Sequence, residues 1–182
     1  MGALVTTNQG NRASARDGGA VEQQQFLTFQ LSGELFGLSI LTVKEIIEFG
    51  SLTPVPMMPP YMRGVINLRG AVVPVIDLSV RFGRPPSQVT RRSCVVIVEV
   101  ETEAGQQVLG VMVDAVNEVL DIPADQIEPP PSFGARIRAE FIAGMGKVAK
   151  GFVILLAADR VLSVEELAEL SSRTESPVAA GE

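Results

Sequence analysis

Residues 53–78 read TPVPMMPPYMRGVINLRGAVVPVIDL, and this stretch decides how the rest of the chain is interpreted. It begins with a proline-rich lead-in and continues into two strand-like runs, VINL and AVVPVIDL, which are separated by Arg69 and Gly70. Because glycine tolerates a positive φ, the pattern predicts a β-hairpin that holds Arg69 at its tip. An apolar hairpin that displays one charged side chain is more typical of a docking feature than of a catalytic one.

The composition narrows the possible functions. The chain has 182 residues, of which 46% are hydrophobic, so it can form one ordinary domain or two small lobes. Its net charge of -6 argues against nucleic-acid binding, which needs clustered lysine and arginine. It contains no histidine, the commonest general base and metal ligand. We therefore expect no enzyme, no metal site and no cofactor.

The sequence also favours a cytoplasmic location. No run approaches the roughly 18 apolar residues that span a bilayer, and residues 1–20 lack the apolar segment of a signal peptide. We therefore expect no direct membrane insertion. The single cysteine, Cys94, fits a reducing compartment. Because it lies in the run RRSCVVIVEV, a buried strand cysteine is favoured over a nucleophile or redox thiol.

The folded part is expected to cover residues 21–172. Residues 1–20 are rich in Gly, Asn, Ser and Arg without periodicity, which predicts a disordered tail, and residues 173–182 are expected to form a second flexible tail. A capping-box pair, Ser163 and Glu166, predicts a C-terminal helix.

Two shorter segments also have helical features. Thr42 and Glu45 have capping-box spacing, so residues 42–47 are a helix candidate. Residues 114–120 are expected to form a short helix or turn.

The chain contains a weak internal repeat. FGLSILTVKEIIE (residues 36–48) overlays LGVMVDAVNEVLD (residues 109–121), which places Gly37 on Gly110. FLTFQL likewise overlays VVIVEV, and RGV of the hairpin overlays AGM further on. The pattern indicates a duplication with repeats of roughly residues 24–82 and 92–160. Strands this short bury their edges best by curling into small barrels. The sequence thus predicts an all-β fold with a few short helices, in which two similar lobes leave a groove between them.

The repeat directs attention to the NLRG turn. In the second repeat, KVAK stands where the first has Asn67, Leu68, Arg69 and Gly70, so this turn is not required to build a lobe. A feature present in one copy only is a reasonable place for function. Glu45 is the expected acidic partner of Arg69, because an arginine–carboxylate fork would orient the guanidinium group for a partner.

Two acidic features have alternative interpretations. The carboxylates between residues 114 and 128 could hold a divalent metal, but the Asp-x-Asp-x-Asp-Gly pattern is missing, which favours a solvated face. This set comprises Asp114, Glu118, Asp121, Asp125 and Glu128. Asp77 could be half of an acid pair, although a cap or turn role is favoured because no second strand-terminal carboxylate lies in a matching motif.

Three segments together resemble a known family. FGLSILTVKEII, the 53–78 stretch and LGVMVDAVNEVL, in this order and spacing, are similar to the CheW family of chemotaxis adaptor proteins. The resemblance covers residues 24–170. It implies two intertwined five-stranded β-barrel subdomains and no catalysis. It also implies that the protein couples methyl-accepting chemoreceptors to a CheA-type histidine kinase. The receptor's cytoplasmic tip would lie in the groove, and the kinase's regulatory domain would meet the adaptor barrel to barrel.

The resemblance also assigns roles to residues. Those that match positions tied to receptor coupling are Val43, Glu45, Gly64 and Arg69. Those that match positions lining or supporting the groove, each of which could equally be core, are Val95, Gly110, Val116 and Val119. One alternative is an adaptor of the same fold in a non-flagellar receptor–kinase pathway, such as twitching. A small-molecule-binding barrel is disfavoured because bulky Val, Ile, Leu and Phe would fill its interior.

Overall fold

The computed structural model describes residues 23–102, 105–130, 137–149 and 151–162, which are built mainly from short strands. The strands are β1 (Gln23–Leu31), β2 (Glu34–Ser39), β3 (Val43–Glu48), β4 (Met62–Leu68), β5 (Ala71–Asp77), β6 (Cys94–Thr102), β7 (Gly105–Val113), β8 (Ala115–Pro123), β9 (Ile127–Glu128), β10 (Ile142–Val148) and β11 (Gly151–Leu156). Two short α-helices, α1 (Leu78–Arg81) and α2 (Ala158–Val161), follow β5 and β11. Single 3₁₀ turns are η1 (Ile40–Thr42), η2 (Ala124–Gln126) and η3 (Ala139–Phe141).

Some of the predictions concern residues outside the described ranges. Both predicted tails and the predicted helix at Ser163 and Glu166 lie beyond the residues that the structure describes. None of the helices in the described ranges has the length and apolar character needed to cross a membrane.

The strands form two sheets that do not follow the two halves of the sequence. One sheet has the order β3-β6-β7-β5-β4, and the other has the order β8-β1-β2-β11-β10-β9. The first half of the chain therefore gives its β1–β2 hairpin to the second half's sheet, and the second half gives its β6–β7 hairpin in return. This exchange confirms the intertwined all-β architecture. Within the described residues, the sheets differ from the predicted five strands by β9, a two-residue sixth strand.

The two sheets repeat each other in detail. Gly110 pairs with Val75 in the parallel ladder between β5 and β7, and Gly37 pairs with Leu155 in the parallel ladder between β2 and β11. A Cβ atom at Gly110 would lie 2.8 Å from Val95 Cγ1, and one at Gly37 would lie 3.0 Å from Leu155 Cδ2. Both glycines therefore allow another chain segment to approach closely at the same place in each sheet. These matches support the predicted duplication.

The irregularities are duplicated as well. β3 shifts register against β6 between Val43 and Glu45, and β8 shifts against β1 at the corresponding place. The β4–β5 ladder shifts between Met62 and Gly64, as the β10–β11 ladder does between Ile142 and Gly144. A bulge bends a strand and increases its twist, so these four positions help each sheet to curl.

Three apolar clusters fill the interior. A cluster inside the five-stranded sheet has Val73, Val75, Val95, Ile97 and Met112 as its buried members. A second, inside the six-stranded sheet, has Phe26, Ile122, Val153 and Leu155. The largest lies between the sheets and includes a row of rings: Phe29 stacks on Phe36, Phe36 on Phe82, and Phe82 tilts against Phe141. Burial of each large side chain contributes about 1.5–3 kcal/mol, so the sheets are joined by an apolar core.

Two predicted helices are strands, which corrects the sequence interpretation. Residues 43–48 form β3, in which half-buried and exposed residues alternate strictly, and residues 115–120 belong to β8. Thr42 does not cap a helix at residues 42–47. It is the last residue of η1, the 3₁₀ turn at residues 40–42, and the cap of that turn is Ser39. Pairing with β6 and β1 stabilises extended backbone in these β-branched segments more than their helix propensity opposes it.

Candidate functional site

The tip of the β4–β5 hairpin is a two-residue turn. Leu68 pairs with Ala71, which leaves Arg69 and Gly70 as the turn residues, with φ values of 52° and 87°. Two consecutive positive φ values are typical of a type I′ turn, whose twist matches that of the strands. Glycine was expected in this conformation, but Arg69 adopts it too, which is uncommon for a residue with a Cβ atom. The Asn67 side chain stabilises the turn by accepting a hydrogen bond from Gly70 N at 2.8 Å.

Arg69 and Glu45 form the predicted two-pronged ion pair. Arg69 Nη1 donates to Glu45 Oε1 at 2.9 Å, and Nη2 donates to Oε2 at 2.8 Å. Glu45 lies on β3, at one edge of the five-stranded sheet, whereas Arg69 follows β4, at the opposite edge. The pair therefore reaches across the end of the curled sheet, and it presents the guanidinium group in one orientation.

The ion pair is exposed mainly on its Arg69 side. The Arg69 side chain is 76% exposed and that of Glu45 is 27% exposed. The hydrogen bond from Arg69 lowers the pKa of Glu45, although partial desolvation opposes it, and Lys44 nearby lowers it slightly further. The same hydrogen bond raises the pKa of Arg69. Exposed ion pairs stabilise folds little. The pair is thus better suited to orienting Arg69 than to holding the protein together.

An open depression of about 460 Å³ adjoins the ion pair. Its wall includes Leu68 and Val72 beside the hairpin, Ile97 on β6 and Val108 on β7. Val72 is 73% exposed, although it lies in a strand of otherwise largely buried residues. An apolar surface beside a fixed charge is the arrangement found where an amphipathic helix docks.

Gly64 has a steric role in the same hairpin. Thr53 and Val65 exchange two backbone hydrogen bonds of 2.9 Å, which dock the proline-rich lead-in on β4. Gly64 has a φ of 152°, and a Cβ atom there would lie 2.6 Å from the carbonyl oxygen of Thr53. The lead-in is thus the link to the hairpin, and it can lie there only because residue 64 has no side chain.

Comparison with known proteins decides the family. Residues 25–166, most of the chain, match the model of the CheW-like domain. The chain belongs to the CheW family. It is 37% identical over 145 residues to the chemotaxis protein CheW of Klebsiella aerogenes, covering 80% of this chain and 85% of that protein. The probable chemotaxis protein CheW of Rhizobium etli is 32% identical over 177 residues, which are 97% of this chain and 98% of the relative.

Other comparisons agree with this placement. The crystal structure of the scaffolding protein TtCheW from Thermoanaerobacter tengcongensis superposes with a TM-score of 0.68 at 37% identity, covering 74% of this chain and 89% of that one. Protein FrzA of Myxococcus xanthus is 31% identical over 123 residues, which are 68% of this chain and 74% of FrzA. As a CheW-family member, the protein is a chemotaxis scaffold or adaptor.

The five remaining receptor-coupling and groove positions of this CheW-family chain differ in exposure. Val95 and Gly110 are buried and in contact within the five-stranded sheet, so they can support a surface but cannot line one. Val43 and Val116 are half-buried and pack on the cluster between the sheets. Val119 is 46% exposed and could meet a partner directly. Glu45, Gly64 and Arg69, by contrast, lie in the β4–β5 hairpin or form contacts at its tip.

The acidic candidates do not converge. Asp77 has the cap role that the sequence favoured, at the N-terminus of α1. Its carboxylate accepts hydrogen bonds from Ser79 N, Ser87 N and Ser87 Oγ. Asp114 accepts a hydrogen bond from Ser32 N, and Glu128 pairs with Lys147. Within the part of the chain that the structure describes, no three carboxylate or thiol side chains are grouped closely enough to hold a metal ion. Cys94 lies in a strand as predicted, at the start of β6, but the prediction of a buried cysteine was wrong, because it is half-buried, with Sγ 3.4 Å from the carbonyl oxygen of Arg92.

Sequence reasoning missed two exposed apolar residues. Leu41 in η1 is 92% exposed beside a second depression, of about 490 Å³, which is lined by residues from both sheets. Val72 is the other, and it was read as part of an apolar strand. Leu41 carries no sequence signal because it continues the apolar run of β2. The sequence did contain a signal for Val72. Because successive side chains of a strand point to opposite faces, Val72 and its neighbour Val73 cannot both face the core.

Proposed function

We propose that the protein couples chemoreceptors to a CheA-type histidine kinase. Membership of the CheW family supports this proposal, as does a surface on which a fixed cation lies beside exposed apolar side chains. The protein would work in the cytoplasm, where it is recruited to receptor arrays at the membrane. Its partners are the cytoplasmic tips of the receptors and the regulatory domain of the kinase. The role is positional, and no chemical step is involved.

The Arg69–Glu45 pair is the observation that carries the receptor assignment. Its two hydrogen bonds leave Arg69 with further N–H groups, because a guanidinium has five donors. These donors can contact an acceptor on a receptor helix, while Val72 and the adjoining depression receive the apolar face of that helix. A charge held in one orientation sets the register of docking more than its affinity. Val119 contributes from the other sheet.

The experiment is a pull-down with purified receptor tip fragments and CheA-type kinase, together with kinase autophosphorylation. We expect Arg69→Ala to weaken receptor binding about tenfold, as removal of an important interface residue does. Arg91→Ala is the matched control, because Arg91 is exposed and forms no ion pair within the described residues. Unchanged receptor binding together with unchanged kinase activation in Arg69→Ala would contradict the assignment.

A second candidate is an adaptor of the same fold in a non-flagellar receptor–kinase pathway. The similarity to protein FrzA of Myxococcus xanthus, which does not carry the chemotaxis name of the other relatives, favours it. Deletion of the gene distinguishes the two. Loss of swimming chemotaxis supports the first candidate, and loss of surface motility with normal swimming supports the second.

A further inference from the structure

Arg81 connects the ends of the two short helices. It is the last residue of α1, and its Nε donates a hydrogen bond of 3.0 Å to the carbonyl oxygen of Val161, the last residue of α2. Carbonyl groups at a helix C-terminus lack partners within the helix, and a cation satisfies them well. Since α1 follows the five-stranded sheet and α2 follows the six-stranded sheet, this bond joins the two sheets.

The same guanidinium group lies near two aromatic rings. Arg81 Cζ is 5.0 Å from the ring centroid of Tyr61, just before β4, and 4.8 Å from that of Phe141, just before β10. Both distances are within the range of cation–π attraction, which is stronger where the cation is partly removed from water. Arg81 is half-buried, so both contacts are partly shielded. Tyr61 leads into the five-stranded sheet, and Phe141 leads into the six-stranded sheet.

These four residues form two equivalent pairs in the duplicated fold. The Tyr61 carbonyl accepts a hydrogen bond from Asp77 N at 2.7 Å, and the Phe141 carbonyl accepts one from Ala157 N at 2.8 Å. Asp77 and Ala157 each precede the short helix of their repeat, so Tyr61 corresponds to Phe141. In the same way Arg81 corresponds to Val161. A side chain that contacts its own counterpart lies on the axis that relates the two repeats.

Of the two equivalent positions, 81 and 161, only the first carries a cationic side chain. A second arginine in place of Val161 would bring two positive charges together in a partly buried site, where they would repel each other. Arg138 also lies over the Phe141 ring, with Cζ 5.2 Å from the ring centroid, and it forms an ion pair with Glu140. Arg81 also continues the row of stacked rings, because Phe141 contacts Phe82. The charge of Arg81 and the row of rings therefore meet at Phe141.

We propose that Arg81 is a positioning residue that fixes the orientation of one sheet relative to the other. Its Nε hydrogen bond to Val161 and its contact with Phe141 cross from the first repeat to the second, whereas its contact with Tyr61 stays within the first repeat. Partner surfaces on the two sheets, as in the proposed function, are then held at a constant spacing. The role of Arg81 in fixing the orientation of the two sheets is independent of the proposed function. Its effect on the coupling of receptor to kinase rests on the proposed function.

The experiment measures a distance between the sheets. Nitroxide labels on cysteines introduced at Glu48 of β3 and Asp121 of β8, both exposed, report that distance by pulsed electron resonance in a chain carrying Cys94→Ser. The variants are Arg81→Met, which keeps the length but loses the charge, and Arg81→Lys, which keeps the charge. Arg91→Met is the control for loss of an exposed arginine.

We expect Arg81→Met to broaden the distance distribution while the protein stays folded, and we expect Arg81→Lys to restore most of the narrow distribution. Circular dichroism of the same samples shows whether each variant is folded. If Arg81→Met fails to fold, Phe141→Leu replaces it, because this change removes one ring and keeps an apolar side chain. A distribution in a folded Arg81→Met or Phe141→Leu protein as narrow as in the parent would overturn the proposal.

A second readout separates this proposal from the proposed function. The parent protein and the Arg81 variants are each used to capture receptor tips alone, kinase alone, and both partners together. A broadened distribution with normal capture of each partner alone, and reduced capture of both together, supports both proposals. A broadened distribution with unchanged joint capture supports the positioning role and contradicts its consequence for coupling.

Discussion

Gly64 and Thr53 lie closer than any side chain at position 64 would permit, because a Cβ atom there would be 2.6 Å from the Thr53 carbonyl oxygen. The approach allows the proline-rich lead-in to bond to β4. The hairpin that carries Arg69 is therefore shaped from its far end as well as by its own turn.

Gly64→Ala should destabilise the protein by about 1–3 kcal/mol, because it combines a strained φ with a clash against backbone. Urea unfolding followed by circular dichroism measures the change. Gly50→Ala is the control, since nothing lies within 4 Å of a Cβ atom built there. Equal stabilities for the two variants would show that the lead-in can move away at little cost.

Reversing both charges of the Arg69–Glu45 pair should restore part of what either single reversal removes. Arg69→Glu and Glu45→Arg each place like charges side by side, whereas the double variant re-creates an ion pair with its direction inverted. Receptor capture is the measurement, and thermal stability should change little because the Arg69 side of the pair is largely exposed. Strictly additive losses in the double variant would mean that the two side chains are not partners.

The Glu45 carboxyl should titrate below the ordinary glutamate range. The hydrogen bond from Arg69 favours the charged form, so the folded-state pKa lies below that of the unfolded chain. The contribution of the pair to stability is accordingly present above the unfolded value of about 4.3 and is lost as pH falls through the folded value. Carboxyl-detected NMR titration measures it.

Two variants test the cause of that titration. Arg69→Ala should raise the pKa of Glu45 markedly, and Lys44→Ala should raise it only slightly, because Lys44 is the weakest of the influences on this carboxyl. A larger effect of Lys44→Ala would rule out the two-pronged hydrogen bond as the main cause.

Asp77→Ala should cost about 3 kcal/mol or more, because three hydrogen-bond donors would lose a buried charged acceptor. The loss should also free the segment around Ser87, so that hydrogen exchange accelerates at Ser87 N. Asp121→Ala, on an exposed carboxylate of β8, is the matched control. Protection of Ser87 N that survives Asp77→Ala would show that the loop is held by other contacts, such as the one from Arg63.

Much of this architecture could be predicted from sequence, for physical reasons. Alternation of apolar residues revealed strands in both halves, and the overlay of Gly37 on Gly110 matched two glycines that the structure places at equivalent close approaches. The comparison of NLRG with KVAK singled out Arg69, and its expected partner Glu45 is the one observed. These features are local, or they repeat along the chain.

The rest depends on long-range contacts that residue patterns do not encode. Alternation says which side of a strand is apolar but not which strand lies beside it, so the patterns alone did not give the hairpin exchange. The helix predicted at residues 42–47 was wrong because pairing with β6 outweighs a local capping signal. The contact of Arg81 with Val161 joins residues 80 positions apart and follows only from how the two sheets meet.

The exchange of hairpins has a consequence for how such a chain could arise. A single repeat on its own would leave its three remaining strands without the hairpin that fills the middle of the sheet. A half-length ancestor would need a second copy, with each subunit lending its hairpin to the other about a true two-fold axis. In that homodimer every residue on the axis would face its own twin, and no lone cation could occupy it. A single arginine on the axis, such as Arg81, therefore requires a chain whose two halves differ in sequence.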